Sequence, residues 1–422
     1  MYQAPRGTAD ILPAEQAYRR YIEQKASLIC GLYGYERIDT PTFENTKLFT
    51  RSIGDGTDIV EKEMYSFQDK GGNDITLRPE GTASVCRAYI EHGMANLPQP
   101  VKLFYLTSIY RYERPQAGRL REFHQFGYEA IGDADPVIDA EVIEMAWRFY
   151  ESLGLKKLSL IVNSIGCSEC RPNYLQKLRD YYDNCGEQLC KDCQTRRERN
   201  TLRLLDCKQP GCQKLIDNAP KSADYLCDSC AEHFNLLKKY LDDIGLPYSI
   251  SHRLVRGLDY YTRTVFEIQP ETEGAQNTLG GGGRYDNLIA ELGGKPTAAI
   301  GFAAGIERII LNLKREDVQI PVISKPAVFL ANMGENAKLA AVKLASDLRH
   351  AGIGIIQSTG TKSLKAQLRQ ANNLNMRFAI IIGDEEVASQ TVVLKDMAAA
   401  GQENLSWDCL IPKLKEILTA ST

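Results

Sequence analysis

Apolar positions first recur at helical spacing, at Tyr18, Ile22, Ala26 and Ile29, which predicts a helix over residues 14–33. SFQD and DITLRPE then read as a hairpin across Lys70, Gly71 and Gly72, and TLRPEGT turns into a helix starting near Thr82. The runs VKLFYLTSIY (101–110) and FHQFGYEAIG (123–132) predict two strands joined by RPQAGRLR, where Pro115 and Gly118 break the ladder. DAEVIEMAWRFYESLG predicts an amphipathic helix and LSLIVNSIG the strand after it. Regular alternation returns at YSISHRLVRGLDYYTRTVFEIQ (248–269), and TAAIGFAAGIERIIL (297–311) passes from a strand edge into a helix with a small-residue face at Gly301, Ala304 and Gly305. Between them LGGGGRYDNLI, with Gly280 to Gly283, reads as a close backbone approach to a ligand or as a tight turn. Past KREDVQIPVISK the rhythm changes, marking a boundary near residue 324. The remainder alternates strand and helix as a small α/β domain with a mostly parallel or mixed sheet. There Lys362, Lys365 and Arg369 are expected on one helix face, suited to phosphates or simply solvated.

Size and charge narrow the class. At 422 residues and a formal net charge of -3, two or three domains are expected, and any nucleic-acid contact has to come from local basic patches. The polar start MYQAPRGTAD lacks an apolar core, so no signal peptide is expected, and no apolar run approaches the roughly 20 residues that span a bilayer. A soluble cytoplasmic enzyme with no membrane partner is the expectation, so the 12 cysteines read as thiols or metal ligands rather than disulfides. Nine of them fall between Cys167 and Cys230. Cys167, Cys170, Cys190, Cys193, Cys207, Cys212, Cys227 and Cys230 are candidate ligands for one or two structural Zn2+ ions, because paired C-x-x-C knuckles suit tetrahedral thiolate binding. How they pair is open, and reduced packed thiols are the plainer reading. Among them lies RRERNTLR (196–203), a basic run that suits nucleic acid or a solvated helix face.

Candidate chemistry concentrates around residues 111–129. Period-two geometry places Arg111 and Glu113 on one face of the first strand and Phe123, Gln125, Gly127 and Glu129 on one face of the second. A cation, carboxylates, an amide and an aromatic plane on one surface suit a nucleotide: arginine grips phosphate in a fork and an aromatic ring stacks on a base. Glu80 and Thr82, at a helix start, suit either a substrate ammonium or plain capping, with Thr82 as N-cap. Arg256, Asp259, Tyr260 and Tyr261 cluster around Gly257 as a polar wall, and Arg308 suits a phosphate or an exposed helix face.

Taken together these segments resemble a known family. Arg111-x-Glu113 with Phe123, and the segment Gly305-Ile306-Glu307-Arg308, look like motifs 2 and 3 of class II aminoacyl-tRNA synthetases, and the Pro41 region is similar to motif 1. LVRGLDYYTRTVFE and GGGRYDNLI resemble the two signatures peculiar to histidyl-tRNA synthetases, and TLRPEGT and RGTADILP also match. The resemblance spans essentially the whole chain; the cysteine-rich insert is its least typical part. It implies an α+β fold with an antiparallel-sheet catalytic core over residues 1–324, a cysteine-rich insertion at about 167–235, and an α/β anticodon-binding domain over 325–422. It also implies a homodimer that uses ATP and Mg2+ to activate L-histidine and charges tRNA(His).

Carried over residue by residue, the resemblance gives Arg111 the α-phosphate, Glu113 the adenine amino group, Phe123 the adenine stack and Arg308 the γ-phosphate. Glu80, Thr82 and Gln125 take the ammonium, and Glu129 and Tyr261 the imidazole with Tyr260 beside them. Arg256 becomes a fixed cation at the α-phosphate, catalytic together with Arg111. The loop 114–121 meets the tRNA acceptor end. The nearest rival is the synthetase-like regulatory subunit of ATP phosphoribosyltransferase, which the intact RGLDYY and the domain after residue 324 weigh against. A zinc-dependent nucleic-acid-binding module explains only the cysteines.

Overall fold

Ten-residue strands of alternating character pair where the hydrophobic pattern predicts. In the computed structural model, Val101–Tyr110 and Glu122–Ile131 run antiparallel in register from Val101↔Ile131 to Tyr110↔Glu122. They belong to an eight-stranded sheet in the order Glu36–Arg37, Val101–Tyr110, Glu122–Ile131, Ala299–Gly305, Gly280–Arg284, Thr262–Pro270, Leu158–Ser164, Tyr248–Ile250. The inner strands are antiparallel, and the two outermost join parallel. Described are residues 2–54, 57, 59–115, 119–271, 278–321, 326–359, 362–399 and 401–419. The chain divides into two units, Met1–Pro321 and Val322–Thr422; the boundary expected near residue 324 lies outside the described residues, as does Gly118.

Alternation sorts the sheet's two faces. Phe126 and Tyr128 point into a core completed by Phe149, Tyr150 and Phe302, with Phe126 and Phe149 ring centroids 4.7 Å apart. Such aromatic pairs add about 0.5–1.5 kcal/mol each beyond burial. The covering helix Pro136–Ser152 starts as its sequence dictates: Asp135 accepts from the Val137 N–H at 2.9 Å, and Pro136 takes the first turn, where its missing N–H costs nothing. Helices Pro13–Leu32 and Asp228–Asp243 pack beside it. Gln125, Gly127 and Glu129 point to the other face.

Two expectations are revised on physical grounds. The glycine run is not a tight turn; Gly280–Arg284 is a buried central strand paired on both sides, although Gly280 and Gly281 do bring bare backbone to the edge of a cavity. A Cβ at Gly282 would overlap the Gly301 carbonyl, and one at Gly280 would sit 2.5 Å from the Tyr150 hydroxyl. Four residues without side chains carry no alternation to read. The strand before the arginine loop also ends earlier than period two suggested. It stops at Tyr110; the Arg111 N–H still reaches the Arg121 carbonyl at 2.9 Å, but Glu113 turns back to bond the Arg111 carbonyl at 2.7 Å. Arg111 and Glu113 therefore share no strand face.

The strand Gly280–Arg284 ends on a fully buried Arg284, whose Nε lies 2.6 Å from Asp139 and whose Nη atoms donate to the Asp133 and Asp135 carbonyls at 3.0 Å. It ties the sheet to the start of the covering helix. A small sheet, Phe43–Asn45, Asp74–Leu77 and Tyr65–Gln68, contains the predicted hairpin, closed by Asp69 accepting from the Gly71 and Asn73 N–H groups. Pro41 lies between strands, its carbonyl held by Arg78 at 3.1 Å.

From Arg171 to Asp217 the insertion is helical around a modest core of Tyr174, Leu178, Tyr182, Leu204 and Ile216. The second unit has a mixed sheet, Ile355–Gln357, Val328–Met333, Phe378–Gly383, Thr391–Asp396, Gln402–Ser406, the first three parallel and the last two antiparallel. Its polar last strand and the short helix Asp384–Ser389 lacked an apolar pattern and were not predicted. The helix Leu364–Asn373 is capped by Ser363, so Lys362 precedes it and bonds Gln370 at 3.0 Å; only Lys365 and Arg369 of the expected basic face lie on that helix. Among the described residues no helix is long and apolar enough to cross a membrane.

Candidate functional site

On the sheet face opposite the covering helices lies a cavity of about 300 Å³. Every residue predicted for the small substrates lines it: Glu80, Thr82, Arg111, Glu113, Phe123, Gln125, Glu129, Arg256, Tyr260, Tyr261 and Arg308. They come from distant segments, joined because strands Glu122–Ile131, Ala299–Gly305, Gly280–Arg284 and Thr262–Pro270 are successive neighbours in one sheet.

The floor is Glu129, 1 % exposed. Its Oε1 accepts from the Thr82 hydroxyl at 2.8 Å and from Tyr105 at 3.1 Å, and its Oε2 from Tyr285 at 2.6 Å. Burial pushes this carboxyl up to about 8, against the hydrogen bonds from Tyr285 and Thr82. Glycines make the space. A Cβ at Gly301, its cross-strand neighbour, would overlap Glu129 Oε2, and one at Gly127 would overlap the Tyr105 ring. Glu80, also buried, accepts at 2.7 Å from the N–H groups of Thr82 and Ala83. Glu80 is thus the side chain that caps the helix Thr82–Glu91. Thr82 is that helix's first residue rather than its N-cap, and its hydroxyl turns to Glu129 instead. Burial raises the Glu80 carboxyl above its ordinary value, the Ala83 and Thr82 N–H groups pulling the other way. Tyr260 donates to Glu80 at 3.4 Å, and Tyr261 packs against Tyr260 with centroids 4.8 Å apart.

Toward the mouth the charge reverses. Arg256 pairs with Glu267 and lies over the Tyr261 ring, 5.6 Å from its centroid. Glu267 also accepts from the Thr278 hydroxyl at 2.8 Å, and the Thr278 carbonyl accepts from Arg308 at 2.8 Å. A chain of polar contacts therefore spaces two arginines along one wall. Across from it Arg111 donates to the Pro79 carbonyl at 2.7 Å and lies over Phe123, 5.7 Å from its centroid. Glu113 pairs with Arg119 at 3.3 Å. Burial lowers the Arg308 pKa, and the neighbouring Arg119 adds to the effect. Crowded cations of this kind are relieved by an anion.

Sequence reasoning gave no role to Tyr105, Tyr285, Glu267 or Thr278. Tyr105 sits inside an apolar run and reads as core. Tyr285 lies in GGGRYDNLI, and its place close behind the glycine run was the available signal. Asp259 was expected in the polar wall; it faces away and accepts from Asn200 at 2.9 Å.

The eight candidate metal ligands fall into two groups, Cys167, Cys170, Cys227 and Cys230, and Cys190, Cys193, Cys207 and Cys212, each with its sulfurs within 4.8 Å of one another. None of the cysteines forms a disulfide. Either set can hold a metal ion.

Residues 7–309 match the family model for histidyl-tRNA synthetase, and residues 327–417 that for an anticodon-binding domain. A histidine–tRNA ligase of Dehalococcoides mccartyi is 61% identical over 99% of this chain and 100% of its own length. One from Acetivibrio thermocellus is 50% identical over 98% and 99%. The apo histidyl-tRNA synthetase of S. aureus superposes with a TM-score of 0.82 at 40% identity, covering 98% of this chain and 99% of that one. Cavity, fold and full-length similarity agree: the chain belongs to the histidyl-tRNA synthetase family.

Proposed function

We propose that this chain joins L-histidine to ATP, forming histidyl-adenylate and diphosphate, and then transfers the histidyl group to the 3′ end of tRNA(His), releasing AMP. The observation that carries the reading is one cavity with a buried, hydroxyl-ringed carboxyl group at its floor and three arginines at its mouth. An imidazole N–H suits the first and a polyphosphate the second. Pyrophosphate exchange measured with each amino acid in turn tests it: histidine alone should support exchange, and exchange with none, or with another amino acid, overturns it.

The chemistry needs no protein base. A carboxylate oxygen of histidine attacks the α-phosphorus, the bond to the bridging oxygen breaks, and pyrophosphate leaves with the electron pair. The protein aligns the reactants and neutralises the charge that builds up. Arg111 and Arg256 flank the α-phosphate, Arg308 takes the γ-phosphate, Phe123 stacks on adenine and Glu113 accepts from its amino group. Glu80, Thr82 and Gln125 hold the ammonium; Thr82, donating to Glu129, meets it through an oxygen lone pair. Glu129 and Tyr261 read the imidazole with Tyr260 beside them. Mg2+ would offset charge on the pyrophosphate oxygens, and Glu113 and Glu267, both lining the cavity, are carboxylates of the hard-oxygen type it prefers.

The same reading gives the loop 114–121 the tRNA acceptor end, the C-terminal unit the anticodon, and the cysteine sets structural Zn2+. A cytoplasmic homodimer is part of it. Exposed Leu28, Leu32, Phe43 and Phe67, on the first helix and the small sheet, support a covered face there. The regulatory alternative has less support, because the full-length relatives at 61% and 50% identity are histidine–tRNA ligases and residues 327–417 match an anticodon-binding domain.

A further inference from the structure

The two cysteine groups are nested in the chain and face different parts of the molecule. The outer set brackets the insertion: Cys167 and Cys170 follow strand Leu158–Ser164, and Cys227 and Cys230 open helix Asp228–Asp243. The inner set, Cys190, Cys193, Cys207 and Cys212, lies wholly within the loop that the outer set closes. Cys167 lies 3.8 Å from both Cys170 and Cys227, and Cys190 lies 3.8 Å from Cys207, sulfur to sulfur. A tetrahedron with metal–sulfur bonds of about 2.3 Å has edges of about 3.8 Å. Backbone N–H groups donate to the sulfurs, Cys167 to Cys170 at 3.3 Å and Cys190 to Cys212 at 3.4 Å, the contacts that stabilise thiolate charge.

What each set holds differs. At the neck, Cys170 leads directly into Arg171, whose guanidinium donates to the carbonyls of Ile165, Gly166 and Tyr261. On the same segment Arg263 donates from its backbone to the Gly166 carbonyl at 2.8 Å and from its side chain to Ser229, between Cys227 and Cys230, at 3.2 Å. Tyr261, a wall of the cavity, is thus tied to the outer set from both sides. At the tip, Asn200 and Arg203 lie between Cys193 and Cys207. Asn200 bonds Asp259 at 2.9 Å, and a Cβ built on Gly257 would lie 3.5 Å from Arg203. They form part of the lining of a second, larger hollow of about 710 Å³, where Arg111, Arg119, Arg203 and Lys208 are interleaved with Glu113 and Asp206 and which Cys190 and Cys207 of the inner set also line.

We propose that the insertion binds two separate zinc-class ions with different duties: the neck ion positions Tyr261 and so the amino-acid pocket, and the tip ion positions the insertion's wall of the second hollow. The assignment of duties rests on the synthetase reading; the ions and their ligand sets do not. The small insertion core gives the physical reason, since so few apolar side chains hold a fold only with added cross-links.

Elemental analysis of the full chain should find two zinc ions. Cys167→Ser/Cys227→Ser should retain one and raise the histidine KM in pyrophosphate exchange about tenfold or more, leaving the ATP KM near its starting value. Cys190→Ser/Cys207→Ser should retain the other and keep exchange within about twofold, while aminoacylation of tRNA falls about tenfold. Should the neck variant fail to fold, chelator-stripped wild type refilled with Co2+ gives the same answer: tetrathiolate visible bands, two equivalents, and recovery of the histidine KM with the metal. Fewer than two ions, disulfides in the native protein, or both variants losing the same ion would overturn the proposal. Equal effects of the two variants on exchange would overturn the division of duties. Two ions without histidine-dependent exchange would instead overturn the synthetase reading and leave the metal sites standing.

Discussion

Around Glu129 the chain is held by density. Glycines at 127, 282 and 301 bring strands and rings within contact, and three hydroxyls converge on one carboxylate. In the insertion the apolar core is modest, and eight cysteine sulfurs gather in two sets of four. The first region draws its geometry from an eight-stranded sheet that cannot shift without disturbing both faces. The second has no such sheet; under the two-ion proposal its order comes from the metal sites instead. Substitutions at the floor should therefore act through distance, and substitutions in the insertion through order.

The largest effect belongs to the arginine wall that the sheet positions. Arg256→Ala should reduce pyrophosphate exchange by about 10²–10³-fold, the scale for losing one preorganised charge at a reacting centre. Its fold should persist, because Glu267 keeps Thr278 and Gln269 as donors. Near-wild-type exchange with an unchanged circular dichroism spectrum would remove Arg256 from the reaction.

Next comes Gly301→Ala, which adds one methyl where Glu129 Oε2 already lies. Histidine kcat/KM should fall about 100-fold, as for an ångström-scale displacement at a site. The ATP KM should hold, since Phe123 and Arg111 are remote from that methyl. Equal loss for both substrates would show that the floor deforms as a whole.

Glu129→Gln separates function from stability. The folded protein holds the Glu129 proton up to about 8, against an ordinary value of 4.5, so between these pH values the unfolded chain has released a proton that the folded one keeps. Stability from this group is full below 4.5 and is lost as pH rises toward about 8. The glutamine variant, which does not ionise, should melt above wild type at pH 8 and lose that advantage below 4.5, while histidine-dependent exchange collapses. Calorimetry across that range checks the sign; an advantage that grows toward acid would refute the buried-proton account.

The smallest effect is expected from Asn200→Ala. It removes one half-exposed hydrogen bond to Asp259 and should change stability by about 0.5–1.5 kcal/mol. Aminoacylation should weaken more than exchange. The reverse order would blur the contrast between the two regions.

Much of the pocket was legible because its side chains are chemically conspicuous. Arg111, Glu113, Phe123, Gln125 and Glu129 lie close in the chain, and arginines beside an aromatic ring and carboxylates suggest a nucleotide. What escaped notice was inconspicuous for definite reasons. Tyr105 lies among Leu103, Phe104 and Leu106, where a buried hydroxyl looks like one more core ring. Gly280–Arg284 offered no periodicity, yet it is the strand between the two that carry Glu267 and Gly301. Thr82 looked like a cap because it begins a helix, but the longer Glu80 reaches the free N–H groups first. The two cysteine sets had the right spacing but no way to reveal their partition: three C-x-x-C pairs and two single cysteines admit many groupings until the helices bring Cys167 to Cys227 and Cys190 to Cys207.

The glycine at 301 also bears on engineering. A designer who wants the site to accept a bulkier imidazole analogue would normally shrink the walls, but beside Glu129 there is little left to shrink: residues 127, 281 and 301 are already bare backbone. Any mutational library there samples only larger residues and so only narrower pockets. Room can be made at Gln125, on the same strand as Gly127, and at Tyr260 and Tyr261, which precede strand Thr262–Pro270, so permissiveness toward analogues will be found by varying those three positions and leaving the glycines fixed.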